Sequence, residues 1–182
     1  MSPYRPEFEA ALRLFARVSK TMKARGFSAP ILVGGGAVEL YSASAITTGD
    51  FDIVTPSQDE FERELVIAGF SKPEGLGHTP LGWVHADLRL GFEIVSATLY
   101  DGMADQDRLV LIDLDRDGEA AIVAVEDLIA DRIGQYASGT APEMLEQARR
   151  LFALHADADR EYMDRRIRHE SAGDYGIADL EA

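Results

Sequence analysis

Two acidic residues separated by one residue are the first feature of this chain that could do chemistry. Asp50 and Asp52 lie in the segment Asp50–Val54, which alternates in character and is therefore predicted to be a β-strand. Side chains two positions apart on a strand share a face, so both carboxylates project together while Phe51 and Ile53 point into the core. Carboxylates held this close repel each other unless a cation lies between them, usually a divalent metal ion. Ordinary surface strands also carry such pairs, so the pair alone does not define a site.

Three consecutive glycines upstream add a second part to this candidate site. Gly34, Gly35 and Gly36 lie between the apolar run Ile31–Val33, predicted to be a buried strand, and a helix predicted over 37–42. Glycines let the backbone approach a ligand closely, and free N–H groups at a helix start favour phosphate. The alternative is a tight strand-to-helix turn without a ligand. Taken with the two aspartates, the turn predicts a site where glycines hold a triphosphate and aspartates hold its magnesium.

The spacing of apolar residues predicts an α+β fold, with a small mixed sheet flanked by helices and a helical part after it. A helix is predicted over 6–25, and Ser57 followed by Glu60 predicts a capping box that opens another. A glycine- and proline-rich loop is predicted over 71–82. Further strands are predicted over 83–99, as one or two strands, and as a hairpin of 109–114 with 120–123.

From residue 125 onward the apolar spacing is helical, which divides the chain into a core domain, 1–124, and a C-terminal helical region, 125–182, packed on that core. Residues 138–142 are interpreted as a hinge between helices. The last dozen residues are predicted to be loose, as chain ends commonly are.

Composition narrows the function classes. The chain has 182 residues, 46% hydrophobic and 27% charged, which is typical of a globular protein able to bury a core. It has no cysteine, which excludes disulfides, thiolate metal ligands and a cysteine nucleophile. No apolar run approaches the roughly 20 residues that span a bilayer, and no signal peptide is evident. We therefore expect no membrane association and a cytoplasmic location.

The formal net charge of -14 argues against broad nucleic-acid binding, because an acidic surface repels phosphate backbones. A nucleotide could still bind through metal ions, which supply positive charge. A basic partner protein is an alternative, and so is acidity that serves solubility alone.

Other motifs in the chain do not complete a site. The run Asp113, Asp115, Asp117-Gly118 is similar to the start of an EF-hand loop, but its twelfth position is Ala124 instead of glutamate. A hairpin turn with solvated acids is the preferred interpretation. The sequence contains neither a Gly-x-Ser-x-Gly elbow nor a Walker phosphate loop, so these hydrolase and P-loop classes are excluded.

The combined pattern resembles the DNA polymerase β-like nucleotidyltransferase superfamily, and more closely the small prokaryotic group that includes AbiEii-type toxins. That group has an apolar residue, a Gly-Gly or Gly-Ser pair, a short helix, an Asp-apolar-acid motif and a third carboxylate on a later strand. This chain carries these motifs as Gly34-Gly35, Asp50-Phe51-Asp52-Ile53 and Phe92-Glu93-Ile94. Thr48 and the helix from Val125 to Arg132 are also similar, so the resemblance covers roughly residues 30 to 155.

The resemblance implies an enzyme that transfers a nucleotidyl group from a nucleoside triphosphate to an acceptor hydroxyl on a protein, an RNA end or a small molecule. It implies that Asp50, Asp52 and Glu93 are catalytic and bind Mg²⁺ or Mn²⁺, one ion activating the hydroxyl and the other neutralising the phosphates. Glu93 could also take the hydroxyl proton. Gly34, Gly35, Thr48 and Arg132 are then the residues expected to bind substrate.

The sequence departs from the family pattern at three points. These departures bear on the expected rate of the enzyme and on its nucleotide preference more than on its fold. The spacing between the glycines and Asp50 is one residue longer than expected, Ile46 replaces a common basic residue, and Arg132 replaces a lysine. Arginine keeps the charge but is not an equivalent group. A role as a toxin–antitoxin component with an antitoxin-like partner fits the resemblance. The alternative is a non-catalytic nucleotide- or partner-binding protein with the same fold.

Overall fold

The computed structural model of the chain describes residues 2–73 and 82–181, which contain a seven-stranded mixed sheet accompanied by helices. This architecture confirms the predicted α+β class. The strands are β1 (Ile31–Val33), β2 (Asp50–Val54), β3 (Phe70–Ser71), β4 (Trp83–His85), β5 (Gly91–Ser96), β6 (Val110–Asp113) and β7 (Glu119–Ile122). Their spatial order is β3-β4-β5-β2-β1-β7-β6. The loop predicted over 71–82 lies mostly outside the described residues.

The chain forms two compact units. The first unit comprises Met1–Leu99 and Leu109–Ile122 and contains the whole sheet. The second comprises Tyr100–Arg108 and Val123–Ala182. Its main helices are α4 (Val125–Ala137), α5 (Met144–Leu154) and α6 (Arg160–Glu170), preceded in the first unit by α1 (Pro6–Ala24), α2 (Gly34–Tyr41) and α3 (Gln58–Ile67).

Aromatic side chains form the core between the sheet and the helices of the first unit. Phe51 of β2 and Phe92 of β5 are paired in register, and their rings stack with centroids 5.1 Å apart. Phe15 of α1 contacts both rings edge-on, and Phe8 packs against Phe51. Because side chains alternate along a strand, this packing leaves Asp50, Asp52 and Glu93 on the opposite face of the sheet.

Two local predictions in the first unit differ from the structure. The predicted capping box is wrong, because the Ser57 side chain makes no capping hydrogen bond and Glu60 accepts from Arg25 and Arg63. The predicted hairpin turn joins β6 to β7, and its Asp113 and Asp115 are exposed as expected. Asp117 in the β6–β7 turn is buried, not solvated, and its carboxylate accepts from Arg13 and Arg17 of α1 at 3.3 and 3.0 Å. Arg63 is a helical neighbour of Glu60, whereas Arg25, Arg13 and Arg17 are distant in sequence from the acids that they contact.

The second unit is organised around a buried carboxylate. Asp127 of α4 accepts hydrogen bonds from the Tyr162 hydroxyl, at 2.9 Å to its Oδ2, and from Arg166 Nε, at 2.6 Å to its Oδ1. Burial is the largest influence on this group and raises the pKa of Asp127, although both donors favour the charged form. Because burying a carboxylate without partners is costly, these bonds tie α4 to α6.

The segment 171–181, which we predicted to be loose, is held by contacts with the helices of its unit. Ile177 N–H donates to Asp164 of α6 at 2.8 Å, and Arg149 of α5 donates to the carbonyl of Asp179. Leu180 is buried within a short helical turn. These contacts, which join residues far apart in sequence, order the described part of the segment. Separately, none of the described helices is both long enough and apolar enough to cross a membrane.

The aromatic core predicts the effect of removing one ring. We expect Phe51→Ala to lower the free energy of unfolding by about 3–5 kcal/mol, because it leaves a cavity beneath the strand that carries both aspartates. Ile67→Ala, at a side chain that is 77% exposed, should change it by less than about 0.5 kcal/mol. Urea denaturation followed by circular dichroism measures both. Equal losses in the two variants would contradict this assignment of the core.

Candidate functional site

Strand pairing brings the three predicted carboxylates together. β2 and β5 are parallel neighbours, and their register places Asp52 opposite Glu93 and Asp50 opposite Gly91. One oxygen atom from each of Asp50, Asp52 and Glu93 lies within 4.8 Å of the others, and all three residues are half-buried. Oxygen-only ligands at this separation suit a hard cation such as Mg²⁺ or Mn²⁺. The donor set therefore fits the predicted metal ion.

The glycine turn contacts one of these carboxylates directly. Gly35 N–H donates a hydrogen bond to Asp52 Oδ2 at 2.9 Å. Gly34 has a φ of +57°, and a Cβ atom added there would overlap the Asp52 carboxylate. Helix α2 begins at Gly34, earlier than the predicted residue 37, so the glycines form its first turn. The turn positions Asp52, and its part in triphosphate binding stays a prediction.

Thr48 supports the other aspartate. Its hydroxyl lies 3.1 Å from the main-chain oxygen of Asp50 and 3.3 Å from the Asp50 Oδ1 atom, and it can donate to either. A threonine two positions before the first aspartate thus orients the carboxylate and the start of its strand. Substrate binding by Thr48 stays a prediction, since this contact assigns it a positioning role.

A buried glutamate that the sequence analysis missed holds the loop before β2. Glu39 of α2 is fully buried and accepts from Arg5 at 2.6 and 2.9 Å, from Thr48 N–H at 2.7 Å and from the Ser44 hydroxyl at 2.9 Å. Burial is the largest single influence and opposes ionisation. The hydrogen bonds from Arg5, Thr48 and Ser44 together nevertheless lower the pKa of Glu39 below its ordinary value of 4.5.

Arg5 completes this arrangement from the N-terminal segment. Besides its pair of bonds to Glu39, its guanidinium donates to the carbonyl oxygen of Thr48. It thus brings a positive charge to the loop that carries Ile46, the position at which the resemblance led us to expect a basic residue. One sign could have indicated Glu39 beforehand, because it is the single charged residue among the apolar ones of α2. A buried acid needs partners, which the sequence alone does not identify.

Arg132, the remaining predicted substrate-binding residue, lies in α4 of the second unit. It is 5% exposed, and its Nη1 contacts Gln135 Oε1 at 3.2 Å and the Met144 sulfur at 3.4 Å. Its buried Nε has no hydrogen-bond partner among the described residues. Phosphate binding by Arg132 stays a prediction.

The fold is similar to that of nucleotidyltransferase-like proteins of known structure. An antigenic nucleotidyltransferase-like protein from Paracoccidioides brasiliensis matches with a TM-score of 0.63 and 13% identity, covering 98% of this chain and 94% of its own. ANT(2″)-Ia in complex with adenylyl-2″-tobramycin matches with a TM-score of 0.59 and 16% identity, covering 90% and 98%. A solution structure of the antibiotic-resistance factor ANT(2″)-Ia matches with a TM-score of 0.57 and 16% identity, covering 95% of this chain and 96% of its own.

Sequence comparison adds no further relationship, since no protein-family model and no curated protein matches the chain. At such low identities the structural likeness establishes the fold.

The contact between the glycine turn and Asp52 can be tested by adding one methyl group. We expect Gly34→Ala to displace the Asp52 carboxylate and to weaken Mn²⁺ binding at least about tenfold, because supporting contacts of metal ligands typically contribute 10–100-fold in affinity. Gly49→Ala is the matched control, since a Cβ there meets nothing within 4 Å. Electron paramagnetic resonance of free Mn²⁺ measures both affinities. Equal affinities in the two variants would refute this positioning role.

The charge on Glu39 predicts a dependence of stability on pH. Because its pKa is lower in the folded chain than in the unfolded chain, ionised Glu39 stabilises the fold above about pH 4.5 and loses this effect as the pH falls further. Glu39→Gln should therefore lower the free energy of unfolding by about 3 kcal/mol at pH 7 and by progressively less towards pH 3.

Urea unfolding at each pH measures this difference, with Glu146→Gln at an exposed position of α5 as the control. A difference between Glu39→Gln and the natural chain that stays constant from pH 7 to pH 3 would contradict the assignment.

Proposed function

We propose that this chain is a metal-dependent nucleotidyltransferase that transfers a nucleotidyl group from a nucleoside triphosphate to an acceptor hydroxyl. The observation that carries this proposal is the convergence of Asp50, Asp52 and Glu93 within 4.8 Å, beside a glycine turn and within this fold. The chain has a formal net charge of -14, so a bound metal would provide positive charge that phosphates require.

The three carboxylates would hold Mg²⁺ or Mn²⁺. Bound there, such ions would screen the charge of the nucleotide's phosphates and lower the pKa of the acceptor hydroxyl. The first turn of α2 would lie next to the triphosphate, because Gly34 and Gly35 contact the carboxylate of Asp52. Thr48 and Glu39 would act as positioning residues that fix the direction of Asp50 and the preceding loop.

The reaction balances without an additional reactant. The acceptor oxygen forms a bond to the α-phosphorus, and the bond from that phosphorus to the oxygen of pyrophosphate breaks. Glu93 is the proposed recipient of the acceptor's proton, which it later passes to solvent. The products are a nucleotidylated acceptor and pyrophosphate.

Two finer features also belong to this proposal. The resemblance to AbiEii-type proteins supports a toxin–antitoxin role with an antitoxin-like partner in the cytoplasm. The net charge of -14 disfavours a long RNA acceptor. A protein that binds nucleotide without transferring it is the competing function, and the assay described next distinguishes the two.

The assay supplies each α-labelled nucleoside triphosphate with Mg²⁺ or Mn²⁺ and a desalted cell extract as the source of acceptors. We expect metal-dependent label transfer with pyrophosphate release, reduced at least about 100-fold in Asp50→Asn, Asp52→Asn and Glu93→Gln. Asp59→Asn, an exposed acid of α3, is the matched control and should retain full activity.

Nucleotide binding without pyrophosphate release under every condition would overturn the enzyme proposal in favour of a binding protein. Transfer that survives in all three site variants would place the chemistry elsewhere in the chain.

A further inference from the structure

A cavity of about 360 Å³ opens beside the carboxylates. Asp50 and Glu93 line it, whereas Asp52, Gly34 and Gly35 are not among its described lining residues. The cavity therefore meets two of the three carboxylates on the side away from the glycine turn.

The order of the strands explains this separation. The glycine turn follows β1, which borders β2 on one side, while β5 and then β4 border β2 on the other. The cavity includes Val84 of β4 and Gly91 of β5, and these two residues are paired opposite each other. A nucleotide at the glycine turn and a second molecule in the cavity would thus approach the carboxylates from opposite directions along the sheet.

The dimensions of the cavity indicate what it can hold. Pockets for small molecules typically have volumes of about 300–1,000 Å³, and this one lies near the lower limit. Gly91 lines the cavity and is paired with Asp50, and because it has no side chain it leaves space beside that carboxylate. The space suits a compact small molecule better than a segment of a protein or an RNA chain.

Arg89 gives the cavity a chemical preference. It is the only arginine or lysine among the described lining residues, it is exposed, and it forms no ion pair with a described residue. Its φ of +54° is uncommon for a residue with a side chain, and such strain is often kept at binding sites. A guanidinium binds phosphate and carboxylate groups through paired hydrogen bonds.

The histidine that also lines this cavity is already engaged. The His85 ring packs edge-on against Phe70 with centroids 5.2 Å apart, and His85 Nδ1 accepts from Asp87 N–H at 3.1 Å. These contacts hold the imidazole in place, and Arg89 is the lining side chain whose permanent positive charge can pair with an anion.

We propose that the cavity binds the acceptor of the reaction, and that this acceptor is a small hydroxylated molecule carrying a phosphate or carboxylate group. Its anionic group pairs with Arg89, and its hydroxyl lies towards Glu93 and Asp50. This assignment rests on the proposed nucleotidyl transfer, but the binding itself can be measured without turnover.

Gly91 allows the cavity to be filled without disturbing the strand. A Cβ added there would lie 3.4 Å from the Trp83 oxygen and 3.8 Å from the Asp50 Cβ, both ordinary contacts. Valine is favoured in strands, so Gly91→Val should fold and place its methyl groups in the cavity. Gly91→Ala fills less space and gives an intermediate case.

The probes are glucose, gluconate and glucose 6-phosphate, titrated by ligand-detected NMR at fixed ionic strength with Mg²⁺ present. We expect one or both anions to bind at least about tenfold more tightly than glucose. Arg89→Gln should remove that preference, and Gly91→Val should weaken every probe at least about tenfold. Arg116→Gln, at an exposed position of the β6–β7 turn, makes the same charge change and should have no effect on binding of the probes.

The pattern of results separates this proposal from the preceding one. Equal binding of glucose and both anions, binding of none of the three, or binding unchanged by Gly91→Val overturns the acceptor assignment even where label transfer is observed. Anion binding that depends on Arg89, in a chain that transfers no nucleotide, supports the anion site and overturns its role as an acceptor site. Preference for gluconate or for glucose 6-phosphate identifies the anionic group.

Discussion

Mutual repulsion among three carboxylates is the constraint on which the rest of the first unit depends. Asp50, Asp52 and Glu93 come within 4.8 Å of one another, an arrangement that costs free energy without a cation. The stacked rings of Phe51 and Phe92 on the opposite face oppose this cost, because they hold β2 and β5 in one register. Burial of each ring contributes about 3–5 kcal/mol, which is of the same order as the repulsion between a pair of half-exposed charges. The hydrophobic core thus keeps the site assembled for its ligand.

Hydrogen bonds and one ion pair around the site fix the directions of the two aspartates. Glu39 gathers Arg5, Thr48 and Ser44, and Thr48 in turn orients Asp50. Gly35 N–H holds Asp52 from the other side. Each aspartate is therefore held by its own neighbour, and the two supports come from separate segments of the chain. Several arginines of this acidic protein pair with buried acids, as at Glu39, Asp117 and Asp127, and under the proposed function a metal ion would supply charge to the phosphates.

Local sequence patterns were sufficient to predict the class of fold and most strands and helices. The alternation in β2 and the glycines before α2 identified candidate residues because both patterns depend on neighbours in sequence. Glu93 needed family resemblance, since nothing local predicts that β5 pairs with β2 in a register that aligns it with Asp52. The partners of Glu39, Asp117 and the C-terminal segment were missed for the same reason. Arg5 lies 34 residues from Glu39, Arg13 lies 104 residues from Asp117, and Ile177 lies 13 residues from Asp164.

We propose that the three carboxylates form one metal-binding site beside a turn that binds nucleotide. Anomalous X-ray diffraction from crystals grown with Mn²⁺ and a non-hydrolysable nucleoside triphosphate would locate both ligands. We expect a manganese peak bounded by Asp50, Asp52 and Glu93, with the triphosphate next to the first turn of α2. A nucleotide bound elsewhere, or manganese absent from the three carboxylates while the nucleotide is bound, would contradict it.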